Sequence, residues 1–123
     1  MTGENKTGSL TPISRNILTA IFFVSGLAYA LFLSPPDYQQ GEAVRMMYVH
    51  VPAAWLSMGV YFSIAISSAS FLIWKNPLSA IFIKKLIPIG TIFCLICLIT
   101  GMIWGRPIWG VYWVWDARLT SVF

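Results

Sequence analysis

Residues 86–104, with the sequence LIPIGTIFCLICLITGMIW, decide the fold of this chain because they contain no charged side chain. A run of about 20 apolar residues is long enough to cross the hydrocarbon core of a bilayer as one helix. Lys84 and Lys85 precede the run and Trp104 ends it, and such flanking residues are typical of membrane-spanning helices. We therefore expect this segment to be surrounded by lipid.

Two further apolar blocks lie upstream of this segment. Residues 17–33 contain no charge, and as a helix they measure about 26 Å. Residues 46–74 contain no formal charge and one histidine. This second block is longer than one span requires, so its helix tilts or its first turns lie at the membrane surface. Between the second and third spans, we expect residues 81–83 to lie along that surface.

The first block could instead be a secretory signal peptide. Arg15 precedes it, and Ala28 and Ala30 have the small-residue spacing of a cleavage site. The apolar run continues through Leu33, however, and exceeds the usual signal-peptide core of about 7–15 residues. An uncleaved membrane anchor is therefore the preferred interpretation.

The composition favours an all-α membrane protein. Of the 123 residues, 58% are hydrophobic and 10% are charged. In soluble domains about 45–50% of the residues are apolar and about 25% are charged. The formal charge of +4 does not indicate nucleic-acid binding, because the basic residues are scattered rather than clustered. Cys94 and Cys97 lie within the third block and are interpreted as apolar packing residues. No nucleophile lies beside a base, so the sequence does not predict an enzyme.

We predict an integral membrane helical bundle with three transmembrane helices, in three parts. Residues 1–16 form a disordered cytoplasmic arm, residues 17–104 form the membrane domain, and residues 105–123 form a tryptophan-rich periplasmic segment with the start of a truncated fourth helix. Asp116 is expected to cap that helix. The positive-inside rule places the amino terminus inside. The inner basic residues would be Lys6, Arg15, Lys75, Lys84 and Lys85. The outer ones would be Arg45, Arg106 and Arg118. The loop after the first span and the tail after residue 104 would then share the outer face.

Four of the six tryptophans fall within 12 residues near the carboxyl end: Trp104, Trp109, Trp113 and Trp115. Trp and Tyr favour the membrane interface, so these residues could be simple anchors. One or two tryptophans usually suffice for that purpose, and indole rings also offer large rigid faces to a flat ligand. Periodicity leaves two shapes open. Trp109, Trp113 and Trp115 share one face of a strand, whereas Trp109, Tyr112 and Trp113 share one face of a helix.

His50 is the only histidine and lies about one turn after Arg45, near the outer end of the second span. An ionisable residue in a membrane span is a functional candidate. The alternative is a neutral histidine held by a backbone carbonyl or water. Pro52 removes a helix hydrogen bond, so we expect a bend beside His50. Together these residue types suit haem. An imidazole can bind the iron, indoles can cover the porphyrin, and arginines can pair with the propionates.

Two segments resemble a known family. Residues 104–121 carry the pattern Trp-Gly-x-Pro-x-Trp-Gly-x-x-Trp-x-Trp-Asp-x-Arg-Leu-Thr-Ser, which is similar to the tryptophan-rich WWD motif of haem-handling proteins. Residues 48–55, YVHVPAAW, also resemble the second span of one such family. That family is haem exporter protein C, which takes part in cytochrome c maturation.

The resemblance implies a six-span protein of the bacterial or mitochondrial inner membrane that binds haem b at the outer face. Such a protein presents haem to a periplasmic haem chaperone and works with a small membrane partner and an ATP-binding cassette pair. Two histidines hold the iron, and His50 matches the first. The chain resembles an amino-terminal half and ends at Phe123 without a match to the second. The residues expected to bind haem are Arg45, His50, Trp104, Arg106, Trp109, Trp113, Trp115, Asp116 and Arg118, with His50 as the iron ligand.

The alternative function is that of a structural or accessory membrane subunit. In that case the aromatic residues would be interfacial anchors only. Gly101 and Gly105, at small-xxx-small spacing, are expected to serve helix packing under either interpretation. Such a subunit would hold no haem, so a visible absorption band separates the two interpretations.

Overall fold

The computed structural model describes residues 11–123 of the chain. Within this range, all of the longer regular elements are helices. They are α1 (Pro12–Ala28), a π-helical turn (Tyr29–Leu33), α2 (Val44–Trp74), α3 (Pro77–Trp109) and the short α4 (Ala117–Val122). Three stretches are long and apolar enough to cross a membrane: Pro12–Leu33, Val44–Trp74 and Pro77–Trp109. The predicted all-α class with three membrane-spanning helices is therefore confirmed.

The first helix begins earlier than the apolar pattern predicts. The Thr11 hydroxyl accepts a hydrogen bond from the backbone N–H of Ser14 at 3.3 Å, and Pro12 occupies the first helical position. A capping threonine followed by proline is a strong signal for a helix start. Residues 12–16 are therefore helical, and the predicted disordered arm was wrong for them. Residues 1–10 of that arm lie outside the described residues.

The first span ends where the sequence predicts. After the π-helical turn, the backbone N–H of Ser34 donates to the Tyr29 carbonyl at 2.9 Å, and its hydroxyl donates to the Ala30 carbonyl at 2.6 Å. The extended backbone of Ser34 leads into Pro35 and Pro36. Because proline lacks an amide donor, the helix cannot continue.

α2 and α3 form an antiparallel hairpin with a two-residue connection. Lys75 adopts a left-handed conformation with φ of 53° and ends α2. The Asn76 side chain then accepts from the backbone N–H of Leu78 at 3.0 Å, and Pro77 begins α3. The chain thus reverses direction at the predicted site.

α3 is longer at both ends than the predicted span of residues 86–104. Its first turns include residues 81–83, which we expected to lie along the membrane surface, and Lys84 and Lys85. Their position relative to the membrane stays a prediction. No chain-breaking residue separates them from the Asn76 cap, so one helix forms. At the other end α3 reaches Trp109, so residues 105–109 are helical. A 33-residue helix measures about 50 Å and exceeds the roughly 30 Å hydrocarbon core.

The hairpin contacts are close because small residues lie between α2 and α3. A Cβ atom built on Gly90 would lie 2.8 Å from Val60 Cγ1, and Ser79 Oγ lies 3.3 Å from Ser70 Oγ. Large apolar side chains on the outside remain exposed, including Phe62 at 62% and Leu72 at 66%. This distribution suits lipid as the solvent, because apolar side chains gain nothing by leaving lipid for a protein interior.

We predict that Gly90→Ala destabilises the hairpin by about 1–3 kcal/mol, because Val60 is stiff at χ1 and cannot turn away from the new methyl group. Gly59→Ala is the matched control. Gly59 also lies within a helix, but a Cβ there meets nothing within 4 Å. The stability of the Gly59→Ala protein should therefore be unchanged or slightly raised. Denaturant unfolding in detergent micelles measures both changes. Equal stability of the two variants would contradict the close approach.

Candidate functional site

The loop before α2 lies at the end of the hairpin where α3 finishes. The Asp37 carboxylate accepts from the backbone N–H groups of Gln39 at 2.9 Å and Gln40 at 3.0 Å. Asp37 and Gly41 also exchange backbone hydrogen bonds at 3.1 and 2.8 Å. In this turn the Gln40 side chain accepts a hydrogen bond from Trp104 Nε1 at 2.9 Å. The first loop and the last turns of α3 therefore meet at one end of the hairpin, and the location of this end on the outer face stays a prediction. Gln40 was not predicted as a site residue.

His50 lies on α2 and contacts the turn of α3 formed by residues 97–101. Its Nδ1 atom lies 2.9 Å from the Cys97 carbonyl oxygen and 3.1 Å from Thr100 Oγ1. Gly101 leaves room for the ring, since a Cβ there would lie 3.0 Å from His50 Cε1. A carbonyl oxygen only accepts hydrogen bonds, so Nδ1 donates to it, and in a neutral ring the lone pair is then on Nε2.

The tryptophan-rich segment divides into two groups. Trp104 and Trp109 meet edge to face, with ring centroids 5.4 Å apart. Trp113 and Trp115 meet similarly at 5.5 Å, and both also contact Phe123. The division arises at Gly110, which takes φ of 78° and ends α3 directly after Trp109. Residues 110–116 then form neither a helix nor a strand. The periodicity left a strand and a helix open for this segment, and neither of them describes the whole of it.

Gly105 provides the space for the first of these groups. Gly105 is buried, and a Cβ there would lie 3.1 Å from Trp109 Cε3 and 3.3 Å from Cζ3. The indole of Trp109 therefore folds back over the helix backbone at Gly105. Gly101 and Gly105 were expected to serve helix packing. Gly101 does so, because it meets the His50 ring of α2, whereas Gly105 accommodates the Trp109 ring of its own helix.

A cavity of about 310 Å³ brings the central predicted residues together. It lies among α2, the last turns of α3, and α4. The predicted site residues that line it are His50, Trp104, Trp109 and Arg118. The further lining residues are Met47, Cys97, Leu98, Gly101, Leu119 and Val122. Most of these are apolar, with one imidazole and one guanidinium, and such a lining suits a largely apolar ligand with a polar end.

Five predicted site residues lie outside this lining. Arg45 forms an ion pair with Glu42 at 2.7 Å, and the Arg106 guanidinium lies over the Tyr112 ring, 4.6 Å from its centroid. Trp113 and Trp115 belong to the second aromatic group, and within the described residues the buried Nε1 of Trp113 has no hydrogen-bond partner. Asp116, the fifth, contacts two lining residues, Arg118 and Leu119.

Asp116 caps α4, as predicted. It accepts from the backbone N–H of Leu119 at 2.8 Å and from Arg118 Nη2 at 2.6 Å and Nε at 3.1 Å. These donors, chiefly the Leu119 N–H and then Arg118, lower the pKa of Asp116 below its usual value. The charged carboxylate holds Arg118 with its guanidinium carbon 5.4 Å from the Trp109 ring centroid. Asp116 is thus a positioning residue for the cavity's arginine.

The two cysteines are free thiols. Cys97 Sγ lies 3.9 Å from His50 Nδ1 and 4.0 Å from Nε2, whereas Cys94 Sγ lies 3.8 Å from the Val122 carbonyl oxygen. Among residues 11–123, no group of three or more His, Cys, Asp or Glu side chains could hold a metal ion.

The sequence profile of the family named haem exporter protein C matches residues 5–123. The chain belongs to this family. It is 51% identical over 104 residues to haem exporter protein C of Bradyrhizobium diazoefficiens, covering 85% of this chain and 39% of that protein. The protein of the same name from Haemophilus influenzae is 45% identical over 114 residues, covering 93% of this chain and 46% of that protein.

A plant relative belongs to the same group. A putative cytochrome c biosynthesis ccmC-like mitochondrial protein of Marchantia polymorpha is 50% identical over 103 residues, covering 82% of this chain and 45% of that protein. This haem exporter C family member thus spans less than half the length of the curated relatives it matches. The matched regions include the two segments that carry the resemblance, because the family profile extends from residue 5 to residue 123.

We predict that Gln40→Leu frees the Trp104 ring, because the indole N–H loses its acceptor. The loss should cost about 0.5–1.5 kcal/mol. In an NMR spectrum of ¹⁵N-labelled tryptophan, the Trp104 indole signal should shift and its hydrogen should exchange faster with solvent. Gln39→Leu is the control. Gln39 bonds to Asp37 through its backbone N–H, and the substitution keeps that bond. An unchanged Trp104 signal in Gln40→Leu would contradict the contact.

Proposed function

We propose that this chain binds haem b as cargo in the cavity lined by His50, Trp104, Trp109 and Arg118, and takes part in haem delivery for c-type cytochrome biogenesis. The observation that carries the proposal is the meeting of these four side chains, from α2, α3 and α4, around one cavity. Family membership supports it, since relatives are named haem exporters and a cytochrome c biosynthesis protein.

The imidazole of His50 suits an iron ligand. Histidines that bind metals usually donate the other ring N–H to a carbonyl or carboxylate, which fixes the tautomer and orients the ring. The Cys97 carbonyl has this role for Nδ1, at 2.9 Å. Nε2 is thereby left as the donor atom for haem iron, which proteins commonly hold through a histidine. When bound, haem would supply the iron, and this chain would supply the binding and orientation.

The remaining cavity residues suit the porphyrin and its propionates. Trp104 and Trp109 offer apolar indole faces at low entropic cost. A guanidinium has five N–H donors, and Asp116 accepts from the Nε and Nη2 groups of Arg118. Donors on Nη1 and the second hydrogen of Nη2 are thus available for a propionate. The Arg118 side chain is 75% exposed, so a propionate can reach it from the solvent.

The other predicted haem residues take a second role in the proposal. Trp115 and Phe123 are 73% and 84% exposed, and with Trp113 they form an apolar surface beside the cavity. We assign this surface to the partners that the family resemblance implies, a periplasmic haem chaperone among them. Arg45 and Arg106 are engaged with Glu42 and Tyr112, so we expect smaller effects from their substitution than from that of Arg118.

The proposed setting is an inner membrane, bacterial or mitochondrial, with the amino terminus on the cytoplasmic side and the cavity on the outer side. A small membrane partner and an ATP-binding cassette pair would complete the assembly, and the chain itself would perform no catalysis. Relatives have about twice this length, and a second axial donor for the iron would come from outside residues 1–123.

One observation favours the alternative of a structural subunit without haem. The Trp104 indole N–H already donates a hydrogen bond to the Gln40 side chain. The Trp104 ring also packs edge to face against the Trp109 ring without any ligand. Aromatic residues so arranged could simply anchor the hairpin end in the interface. The two experiments below distinguish this alternative from haem binding.

The iron ligand is tested with His50→Ala. The purified chain, titrated with haem in detergent, should show a Soret band that the variant loses, and added imidazole should partly restore it, because free imidazole can occupy the emptied ligand position. The isolated chain should bind haem weakly with an exchangeable sixth position, since it offers one axial histidine. An unchanged spectrum and affinity in His50→Ala would refute the assignment, and a wild-type chain that cannot be loaded would favour the structural subunit.

The cavity itself is tested with Trp109→Leu. Leucine keeps the site apolar but removes the indole face and the contact with Arg118, so haem affinity should fall by roughly tenfold, a loss of about 1.4 kcal/mol. Trp74→Leu is the matched control, because Trp74 is an exposed tryptophan at the opposite end of the hairpin. If both variants keep the wild-type affinity, the tryptophans serve only as anchors.

A further inference from the structure

We infer that Thr100 is a positioning residue that, together with the Cys97 carbonyl and Gly101, holds the His50 ring with Nδ1 protonated and Nε2 free. The arrangement of the ring can be tested without any ligand. Its consequence for haem rests on the proposed function above. Thr100 is not part of the resemblance motifs and does not line the cavity, so its role follows only from its contact with the histidine.

The hydrogen-bond directions around Thr100 follow from its single proton. The hydroxyl lies 2.7 Å from the Ile96 carbonyl oxygen and 3.2 Å from that of Cys97. It donates its proton to the nearer one, and its oxygen lone pairs remain for another donor. His50 Nδ1 is that donor, at 3.1 Å, and it shares its one hydrogen between this hydroxyl and the Cys97 carbonyl at 2.9 Å.

The histidine tautomer is determined by these acceptors. Nδ1 faces two oxygen atoms, the Cys97 carbonyl at 2.9 Å and Thr100 Oγ1 at 3.1 Å. The carbonyl cannot donate, and the hydroxyl proton is committed to Ile96. Nδ1 must therefore carry the hydrogen, and a neutral ring then has its lone pair on Nε2. In a low-dielectric membrane span these bonds are stronger than they would be in water.

Gly101 completes the arrangement by steric fit. A Cβ at this position would lie 3.0 Å from His50 Cε1 and 3.4 Å from Nδ1, closer than ordinary contact allows. The ring edge that carries Nδ1 and Cε1 is thus held against bare backbone. Nε2 has only the Cys97 thiol near it among residues 11–123, at 4.0 Å, and we infer that it is the ring nitrogen available to the cavity that His50 lines. Partners of this kind around a metal-binding histidine typically change metal affinity by about 10–100-fold.

α3 contains a matched control for Thr100. The Thr91 hydroxyl donates to the Ile87 carbonyl at 2.9 Å, the same bond to the fourth preceding residue that Thr100 makes. Thr91 has no bond to a histidine. Thr91→Val and Thr100→Val therefore remove the same helix bond, and only the second also removes a partner of His50. Thr100→Ser keeps the hydroxyl and should behave as wild type.

The first measurement uses the unliganded chain with ¹⁵N-labelled histidine in detergent. Because His50 is the only histidine, both ring nitrogen signals belong to it. We expect a protonated Nδ1 and an unprotonated Nε2 in the wild type, and a shifted Nδ1 signal in Thr100→Val. Thr91→Val and Thr100→Ser should leave the signals unchanged. A wild-type Nε2–H tautomer, or a Thr100→Val spectrum identical to wild type, would overturn the inference.

The second measurement is a haem titration of the same four proteins. Thr100→Val should bind haem about tenfold more weakly than Thr91→Val, with an altered Soret band, and Thr100→Ser should restore both. Equal affinities of Thr100→Val and Thr91→Val would overturn the positioning role. If the wild type binds no haem, the proposed function fails, and the nitrogen signals still decide whether Thr100 sets the tautomer.

Discussion

The close contact of α2 with α3 is the constraint on which the candidate site depends. In lipid, apolar burial does not drive helices together, so association rests on close packing and hydrogen bonds between helices. Gly90 brings the backbone of α3 against Val60, and Gly101 brings it against the His50 ring. The bond from His50 to the Cys97 carbonyl links residues 47 positions apart in the sequence. A wider separation of the two helices would remove this bond and the cavity together.

The end of α3 determines which aromatic residues belong to the cavity. Gly110 ends the helix in a left-handed conformation, with its N–H bonded to the Arg106 carbonyl. Trp109 therefore remains on the helix and folds over Gly105, while Trp113 and Trp115 follow in the irregular segment and meet Phe123. α4 then returns toward α3 and places Arg118 over Trp109. One glycine conformation thus separates the tryptophans of the cavity end from the second aromatic group.

Features that depend on nearby residues were predictable from the sequence, and those that depend on distant residues were not. Block length predicted the three spans, and the position of Asp116 before an apolar pattern predicted the α4 cap. His50 was a candidate because it is the one histidine and lies in an apolar block, and Trp109 was a candidate because it belongs to the tryptophan-rich segment. The bonds from Trp104 to Gln40 and from His50 to Thr100 join residues 64 and 50 positions apart, and no local pattern indicates them. The ion pair between Arg45 and Glu42, one turn earlier, was also not predicted.

A histidine in a membrane span needs partners for both ring nitrogens, because an unsatisfied polar group is costly where water is excluded. Nδ1 has two oxygen partners on α3, at 2.9 and 3.1 Å. For Nε2, the nearest protein partner in the described part of the chain is Cys97 Sγ at 4.0 Å, and a thiol is a weak donor. A purely structural histidine would gain more from a second strong partner, or from replacement by an apolar residue. The asymmetry between the two nitrogens therefore identifies Nε2 as the one that a further partner, water or the iron of the proposed haem, would take.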